Sequence, residues 1–242
     1  MPKVAICFWG ICRTTNHTID SIKEYVYKPL DEANIEYEIF VHTFSLNTPY
    51  TNARCEEYDL KLDNELYKLL GANNPIVEDQ DIVDASLNLL EYRTHGDPWV
   101  SVGSKDFGTF NNHIRALYSL HKVTTQALES NPSKILFLRP DVKFLNPILP
   151  TWLRNIKYKE ILLADFHRYP VNDRFALAFP KAAKIFGLRF EKALEYSKTN
   201  PLHSEKFLFH CLTSENIKQK FVKFRFRRIR APNLMGDTNV TV

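Results

Sequence analysis

The chain has 242 residues, of which 44% are hydrophobic and 13% aromatic. This composition is sufficient to bury a large core, which excludes a wholly disordered protein, and the length suits one large α/β domain or two small ones. With 32 basic and 28 acidic residues the charge is too balanced to identify a nucleic-acid-binding protein, and only 7 glycines argue against a glycine-rich all-β fold.

Apolar and alternating runs predict a series of strands and helices along the chain. Strands are expected at about residues 3–9, 35–42, 134–139, 160–165, 174–179 and 220–230. Helices are expected from about Thr18 to Pro29, over 111–130, between Pro180 and Gly187, and over 204–219. Residues 45–110 contain short Leu-rich pieces separated by GANNP and THGDP, which predicts an irregular insertion within a single domain spanning residues 1–242.

Strands that alternate with helices predict a mixed, mainly parallel sheet with helices on both faces, a three-layer α/β/α fold. In open α/β sheets, ligands bind beyond the carboxyl ends of the strands. Four predicted strands run into segments that carry charged or polar side chains. These segments are Gly10 to Thr15, which contains Arg13, then His42-Thr43, Arg139-Pro140-Asp141, and Asp165 to Arg168. An ordinary turn explains any one of these ends. Four such ends at one rim favour a cleft that binds a polyanion.

Asp141 is the candidate metal ligand of that cleft. Pro140 holds Arg139 in an extended conformation and ends the strand pairing, so rigid backbone presents Asp141 at the sheet edge. A carboxylate there can bind Mg²⁺ or Mn²⁺ together with diphosphate oxygens, and arginines can bind the same phosphates. Arg139 has two interpretations, a phosphate contact or the partner of a buried carboxylate. On the metal interpretation, Asp141→Asn removes metal-dependent binding with little loss of stability.

Two nucleotide-binding motifs are absent from the sequence. No GxxxxGK[ST] motif is present, and no GxGxxG follows the first predicted strand. These absences argue against a P-loop kinase and a Rossmann dehydrogenase. They favour a nucleoside-diphosphate substrate that is held by side chains at the strand ends.

Several short segments together resemble a group of GT-A-like glycosyltransferases from bacterial surface-polysaccharide clusters and large DNA viruses. The segments are ICFWGICRTT, EIFVHTF, RALYSL, ILFLRPDVKF, NDRFALAF and HSEKFLFHCL. The resemblance covers most of the chain outside residues 45–110. It implies a GT-A fold and an enzyme that transfers a sugar from a nucleotide-sugar donor to a glycan or other hydroxyl acceptor. With the strand ends, it assigns donor contacts to Gly10, Arg13, Thr14, His42, Thr43, Arg139 and Lys143.

Two segments depart from the pattern of the group. WGICR stands where the group carries GQxR, and the usual Asp-x-Asp metal motif is Asp141-Val142-Lys143 here. The predicted divalent metal, Mn²⁺ or Mg²⁺, therefore has a single carboxylate in this motif. Lys143 or the arginines of the last strand could replace part of its charge.

Glu205 is the first candidate for the catalytic base. It lies in the first turn of the predicted helix over 204–219, and the resemblance implies that an acidic residue at such a position deprotonates the acceptor hydroxyl. The alternative is that the helix dipole alone favours a glutamate there. Asp173 is the second candidate, with a turn carboxylate paired to Arg174 as its alternative.

The basic run KFRFRRIR, residues 223–230, has three interpretations. It can be the solvated face of an edge strand, a contact for the donor pyrophosphate, or a nucleic-acid contact. The competing functions are therefore a nucleic-acid-binding module and a degenerate, non-catalytic sugar-nucleotide-binding protein. The enzyme is the favoured prediction, and nucleic acid is not an expected partner.

The cysteine pattern and hydropathy indicate the compartment. The 4 cysteines form no CxxC pair and no zinc motif, which predicts free thiols in a reducing environment. The apolar stretch VAICFWGIC is too short to span a bilayer and lacks a cleavage pattern. We therefore expect a cytoplasmic protein without a transmembrane segment, and nothing in the sequence indicates an oligomeric state.

Overall fold

A 7-stranded sheet forms the centre of the protein, as seen in a computed structural model that describes residues 3–230. Residues 1–2 and 231–242 of the predicted domain lie outside the described residues. The strands are β1 (Val4–Trp9), β2 (Tyr37–Ser45), β3 (Tyr50–Asn52), β4 (Glu57–Leu60), β5 (Ile76–Asp79), β6 (Lys134–Leu138), β7 (Val142–Phe144), β8 (Glu160–Ala164), β9 (Phe175–Ala178), β10 (Lys218–Val222) and β11 (Phe226–Arg228).

Helices flank the sheet on both faces. They are α1 (Thr15–Ile22), α2 (Lys28–Glu32), α3 (Gln80–Leu87), α4 (Gly108–Glu129), α5 (Pro150–Asn155), α6 (Pro180–Gly187), α7 (Phe190–Ser197) and α8 (Ser204–Ser214). A π-helical segment, Lys23–Tyr27, joins α1 to α2. Short 3₁₀ turns lie at Ala53–Cys55, Leu66–Leu70, Leu89–Arg93 and Val100–Val102.

The strand order of the large sheet is β10-β8-β9-β6-β1-β2-β5. Its neighbouring strands are parallel, except that β9 runs antiparallel to both β6 and β8. Strands β1, β2, β6 and β8 therefore share one direction, and their carboxyl ends lie at the same edge. The prediction of a mixed, mainly parallel sheet is confirmed.

Strand β1 shows why the sheet is covered on both faces. Its alternate residues Val4, Ile6 and Phe8 share one buried cluster with Ile19, Ile22 and Val26 of the first helical segment. The intervening Ala5, Cys7 and Trp9 pack with Leu120, Val123 and Ala127 of α4. A strand buried on both sides is continuously apolar, as the sequence of β1 is. The three-layer α/β/α prediction is confirmed.

The carboxyl-terminal elements differ from the prediction. The helix expected to reach Gln219 ends at Ser214, and Asn216 follows in a left-handed conformation with φ of 54°. The single strand expected over 220–230 is two strands, because β10 joins the large sheet whereas β11 pairs antiparallel with β7. Between them Phe224 is fully buried and stacks on Phe144 with ring centroids 5.0 Å apart. Apolar and polar residues alternate without a break from β10 into β11. The sequence pattern therefore could not show that the two strands belong to different sheets.

Residues 45–110 pack against the sheet and α4. This segment contributes the β3–β4 hairpin, the edge strand β5 and helix α3. Its Val83, Tyr92 and Trp99 share a buried cluster with Ile114 and Leu117 of α4. The sequence predicted neither β5 nor the hairpin, because both are short and only partly apolar.

All 4 cysteines are free thiols, as predicted, and Cys7, Cys12 and Cys211 are buried. Across residues 3–230, the chain forms no helix with the length and apolar character needed to cross a bilayer.

We expect Gly187→Ala to lower the free energy of unfolding by about 1–3 kcal/mol, the usual cost of overpacking a core. A Cβ at Gly187 would lie 2.2 Å from Oγ1 of Thr124, a buried α4 residue whose hydroxyl donates to the Leu120 carbonyl over 2.6 Å. Urea denaturation measures the loss. Gly108→Ala is the matched control, since its Cβ would have no neighbour within 4 Å. Equal stabilities of the two variants would contradict the close packing of α6 on α4.

Candidate active site

A cleft of about 870 Å³ opens at the carboxyl edge of the sheet. Arg13 and Gly10 line it from the loop after β1, and Arg139 lines it from the end of β6. Asp173 reaches it from the amino end of the antiparallel strand β9, and Glu205 reaches it from the first turn of α8. The cleft therefore lies at the edge where the sequence predicted it, beyond the carboxyl ends of β1 and β6.

Asp141 lies beneath this cleft, surrounded by arginines. Its Oδ1 accepts from Nε of Arg139 over 3.0 Å. Its Oδ2 accepts from Arg230 Nη1 over 2.6 Å, from Arg139 Nη2 over 3.1 Å and from Arg13 Nη2 over 3.2 Å. The side chain is 1% exposed. Burial alone would raise the pKa of Asp141, but Arg139, Arg230 and Arg13 hold it well below its usual value.

The residues around Asp141 do not fit a divalent metal. Such a cation needs several oxygen ligands, and both oxygens of this carboxylate already accept from guanidinium groups. Within residues 3–230, no group of three or more His, Cys, Asp or Glu side chains is gathered to hold a metal ion. Lys143, which replaces the second aspartate of the motif, is exposed on β7 and is not among the residues lining the cleft. The predicted metal at Asp141 stays a prediction, and its contacts do not support it.

Gly10 allows the first loop to pass close to Arg139. Its φ is +89°, a conformation that favours glycine, and a Cβ there would lie 3.0 Å from Nη1 of Arg139. The Gly10 amide donates to Oγ of Ser119 on α4 over 2.8 Å. Loop and helix thus hold the strand-end residues in place.

Arg13 connects the strand edge to the 45–110 segment. Besides its contact with Asp141, it lies 3.1 Å from the Glu57 carboxylate and donates to the Tyr50 hydroxyl over 2.5 Å. Its side chain is 6% exposed, yet the residue borders the cleft. The segment that sequence analysis treated as an irregular insertion therefore forms one wall of the site.

Besides Lys143, three predicted donor contacts are not among the residues that line the cleft. His42 is buried, with Nε2 2.7 Å from Glu78 and Nδ1 2.8 Å from Ser119, and burial lowers its pKa. Thr43 Oγ1 accepts from the Cys12 amide over 3.3 Å. Thr14 Oγ1 donates to the Ile229 carbonyl over 3.2 Å. These side chains brace the loops of the site, and donor contact by them stays a prediction.

The two predicted catalytic carboxylates both line the cleft, and their environments differ. Glu205 is 8% exposed and accepts from Ser204 Oγ over 2.6 Å. Burial and the charge of Asp173 raise the pKa of Glu205. Burial would also raise the pKa of Asp173, but the charges of Arg174 and Arg189 lower it. Carboxylates whose pKa values are driven apart can divide the roles of proton carrier and fixed charge, with Glu205 suited to the first role and Asp173 to the second.

Three further arginines line the cleft, and the sequence did not identify any of them clearly as a ligand contact. Arg174 Nη2 lies 3.8 Å from Glu205 Oε1, and Arg54 enters from the 3₁₀ turn after β3. Arg228 enters from β11, where removal from water and the charges of Arg174 and Arg230 lower its pKa to about 10. The run KFRFRRIR indicated Arg228 only as one of three interpretations. Arg54 had no signal, because nothing in its local sequence shows that the chain folds back to the cleft.

The seven-stranded mixed sheet with a polar cleft at its carboxyl edge is a GT-A-like fold. No family model matches the sequence, and no curated protein matches it. Among solved structures, the chain is similar to core-mannan synthase A of Aspergillus fumigatus in its Mn/GDP form. The identity is 9%, the TM-score is 0.50, and the match covers 95% of this chain and 75% of the synthase. The GT-A-like fold expected from the sequence is thereby confirmed.

Two other solved structures are more loosely similar. One is a glycosyltransferase involved in glycosylating the major capsid of PBCV-1, at 10% identity and a TM-score of 0.43, covering 91% of this chain and 81% of that one. The other is mouse xyloside xylosyltransferase 1 in its apo form, at 13% identity and a TM-score of 0.44, covering 92% and 85%.

Proposed function

We propose that the protein is a glycosyltransferase that moves a sugar from a nucleoside-diphosphate donor to the hydroxyl of a glycan or other acceptor. The observation that carries this proposal is the meeting of Glu205, Asp173 and several arginines in one cleft of a GT-A-like fold. The Aspergillus synthase, which shares the fold, was solved with Mn and GDP. A nucleoside diphosphate is the kind of anionic ligand that such a cationic cleft would hold.

Arg54, Arg174 and Arg228 are the side chains proposed to bind the donor diphosphate. All three line the cleft, and the guanidinium groups of Arg54 and Arg228 have no hydrogen-bond or ion-pair partner within residues 3–230. One guanidinium group can donate hydrogen bonds to two phosphate oxygens at once, and it keeps its positive charge at any physiological pH. They would stabilise the negative charge that develops on the diphosphate as the bond to the sugar breaks.

Glu205 is proposed to receive the proton of the acceptor hydroxyl in an inverting transfer. The bond between the anomeric carbon and the diphosphate oxygen breaks, and the diphosphate leaves with the electron pair. The acceptor oxygen forms the new bond to that carbon, while its proton passes to the Glu205 carboxylate. Asp173, held ionised by Arg174 and Arg189, supplies a fixed negative charge nearby and is the reserve candidate for the base.

The Mn in the synthase structure raises the question of a metal in this protein. Because Asp141 is engaged by three arginines, we propose that guanidinium groups neutralise the diphosphate here. This proposal replaces the Mn²⁺ or Mg²⁺ site expected from the sequence, and the two alternatives differ in their response to chelation.

We expect UDP or GDP to raise the thermal unfolding temperature equally in EDTA and in Mn²⁺. A ligand at 100 times its Kd stabilises by about 2.7 kcal/mol, so a thermal-shift titration with nucleotides and nucleotide sugars detects binding. Arg228→Ala should weaken nucleotide binding about tenfold or more, since it removes a charged hydrogen-bond donor. Arg154→Ala is the matched control, because Arg154 is exposed at the end of α5.

Each outcome has a defined meaning. Absence of binding by any nucleoside diphosphate would overturn the proposed function. Binding that requires Mn²⁺ would support the metal predicted at Asp141 and contradict the arginine proposal. Binding without hydrolysis or transfer of any sugar nucleotide would indicate a non-catalytic sugar-nucleotide-binding protein.

A further inference from the structure

A second recess of about 620 Å³, which we name the outer lobe, adjoins the main cleft. Arg54, Arg174, Glu205 and Arg228 line both spaces. Beyond them, the outer lobe is lined by residues that do not reach the main cleft, among them His167, Arg168, Arg225 and Arg227. Glu205 therefore lies where the two spaces join.

The outer lobe is strongly cationic. Among its lining residues in the described chain, Glu205 is the single carboxylate. The Arg225 side chain is paired with Asp165, but the Arg227 side chain has no hydrogen-bond or ion-pair partner within residues 3–230. Like charges gathered in a recess repel one another, and an anion placed among them would offset that repulsion. The pKa of His167 is lowered by burial and then by Arg174, Arg228 and Arg225, as expected in a cationic surrounding.

Aromatic side chains border the same recess. Phe166 and Phe226 line it, and Tyr169, which is 58% exposed, lines both this recess and the main cleft. The Arg225 guanidinium lies 5.0 Å from the Phe166 ring centroid, and the ring thereby helps to fix the position of this charge. A recess that combines fixed cationic groups with apolar faces suits a ligand that has an anionic group on a partly apolar frame.

We propose that the outer lobe holds an anionic group of the acceptor, so that the acceptor is a glycan carrying a phosphate or carboxylate close to the hydroxyl that receives the sugar. This inference rests on the proposed function. An acceptor hydroxyl at Glu205 would have the donor diphosphate on one side, in the main cleft. The rest of the acceptor would extend on the other side into the outer lobe, towards Arg168 and Arg227.

The test measures binding of small acidic sugars to the full chain saturated with the nucleoside diphosphate that binds best. The probes are trigalacturonate and glucose 6-phosphate, and the matched neutral probes are fully methyl-esterified trigalacturonate and glucose. Saturation-transfer NMR detects weak binding. We expect only the anionic probes to bind, and Arg227→Ala to weaken them about tenfold or more, the effect of losing a charged hydrogen bond. Arg227→Lys should restore part of the affinity, and Arg154→Ala should bind the probes as the wild type does.

Several outcomes would overturn the inference. Neutral probes that bind as well as the acidic ones would show that charge is not what the lobe recognises. Competition between glucose 6-phosphate and the nucleotide would make the lobe part of the donor site. Inorganic phosphate binding as tightly as glucose 6-phosphate would indicate a simple phosphate site. A DNA oligonucleotide that binds with steep salt dependence, lost in Arg227→Ala, would indicate a nucleic-acid surface.

Nucleotide binding tests the proposed function, and binding of the acidic sugars tests this inference, so the two can fail separately. If no nucleotide binds, the transferase proposal fails, and the same probes are titrated into the free protein. If nucleotide binds and no acidic sugar does, the transferase proposal stands and the anionic acceptor is wrong.

Discussion

Asp141→Asn should lower the free energy of unfolding by about 3–5 kcal/mol, the usual cost of removing one partner from a buried ion pair. The substitution keeps the size of the side chain but leaves Arg13, Arg139 and Arg230 without their shared negative charge. Urea denaturation at neutral pH measures the loss. The sequence alone predicted a metal ligand at the sheet edge, whose replacement by asparagine would cost little stability, and the buried ion pairs of Asp141 change that expectation.

Asp165→Asn is the matched control for this prediction. Asp165 is paired with Arg225, but its side chain is 24% exposed, so the loss should be about 1 kcal/mol or less. If Asp141→Asn is as stable as Asp165→Asn, then the negative charge of Asp141 is not needed to stabilise Arg13, Arg139 and Arg230 in the folded protein.

The same carboxylate should make the wild type sensitive to acid. The folded-state pKa of Asp141 lies well below its unfolded-state value, which is about 3.9. Its contribution to stability is therefore fully present above that unfolded-state value, and it is lost as the pH falls towards the folded-state pKa. Asp141→Asn should lack this part of the acid dependence, because asparagine does not titrate there.

Glu205→Gln should lower turnover by roughly 10²–10⁴-fold, the usual contribution of a positioned base, and leave nucleotide affinity nearly unchanged. Gln cannot take the acceptor proton, but it retains the size of the side chain. Turnover is measured as sugar transfer or as donor hydrolysis. Glu191→Gln is the matched control, because Glu191 lies on α7 outside the cleft and its exposed carboxylate is paired with His121.

The pH profile gives a second measurement for Glu205. A base acts in its ionised form, so the wild-type rate should rise with pH through a pKa that burial and Asp173 raise above the ordinary glutamate value. Glu205→Gln should lack that rise. Loss of nucleotide binding in the variant would make Glu205 a binding residue. Unchanged turnover would transfer the catalytic assignment to Asp173, to be tested by Asp173→Asn.

The central strands were predictable because burial on both faces makes them continuously apolar. Strands β1, β6 and β8 begin or end within one residue of their predicted bounds. Strand β5, with the sequence IVED, was missed because it is a short, half-buried edge strand whose composition suits a loop equally well. Tertiary context decides such segments more than local preference does.

The site was predictable in position but only partly in its side chains. Arg13 and Arg139 follow the last residues of their strands, so their side chains can turn towards the cleft. The second strand was expected to end at His42, but it continues to Ser45. His42 and Thr43 therefore lie inside the strand, where successive side chains point to the two faces of the sheet. Because the predicted strand was three residues too short at this end, both side chains were wrongly expected in the loop that faces the cleft.

The site also joins the two ends of the described chain. Thr14 donates to the Ile229 carbonyl, and Arg230 donates to Asp141. Contacts between residues so distant in sequence form late, because the intervening chain must be ordered first. During synthesis from the amino terminus, the strands at the centre of the sheet can assemble before β11 has left the ribosome. The growing chain would then complete its arginine cluster, and with it the proposed donor site, only after nearly all of the sequence described here has been translated.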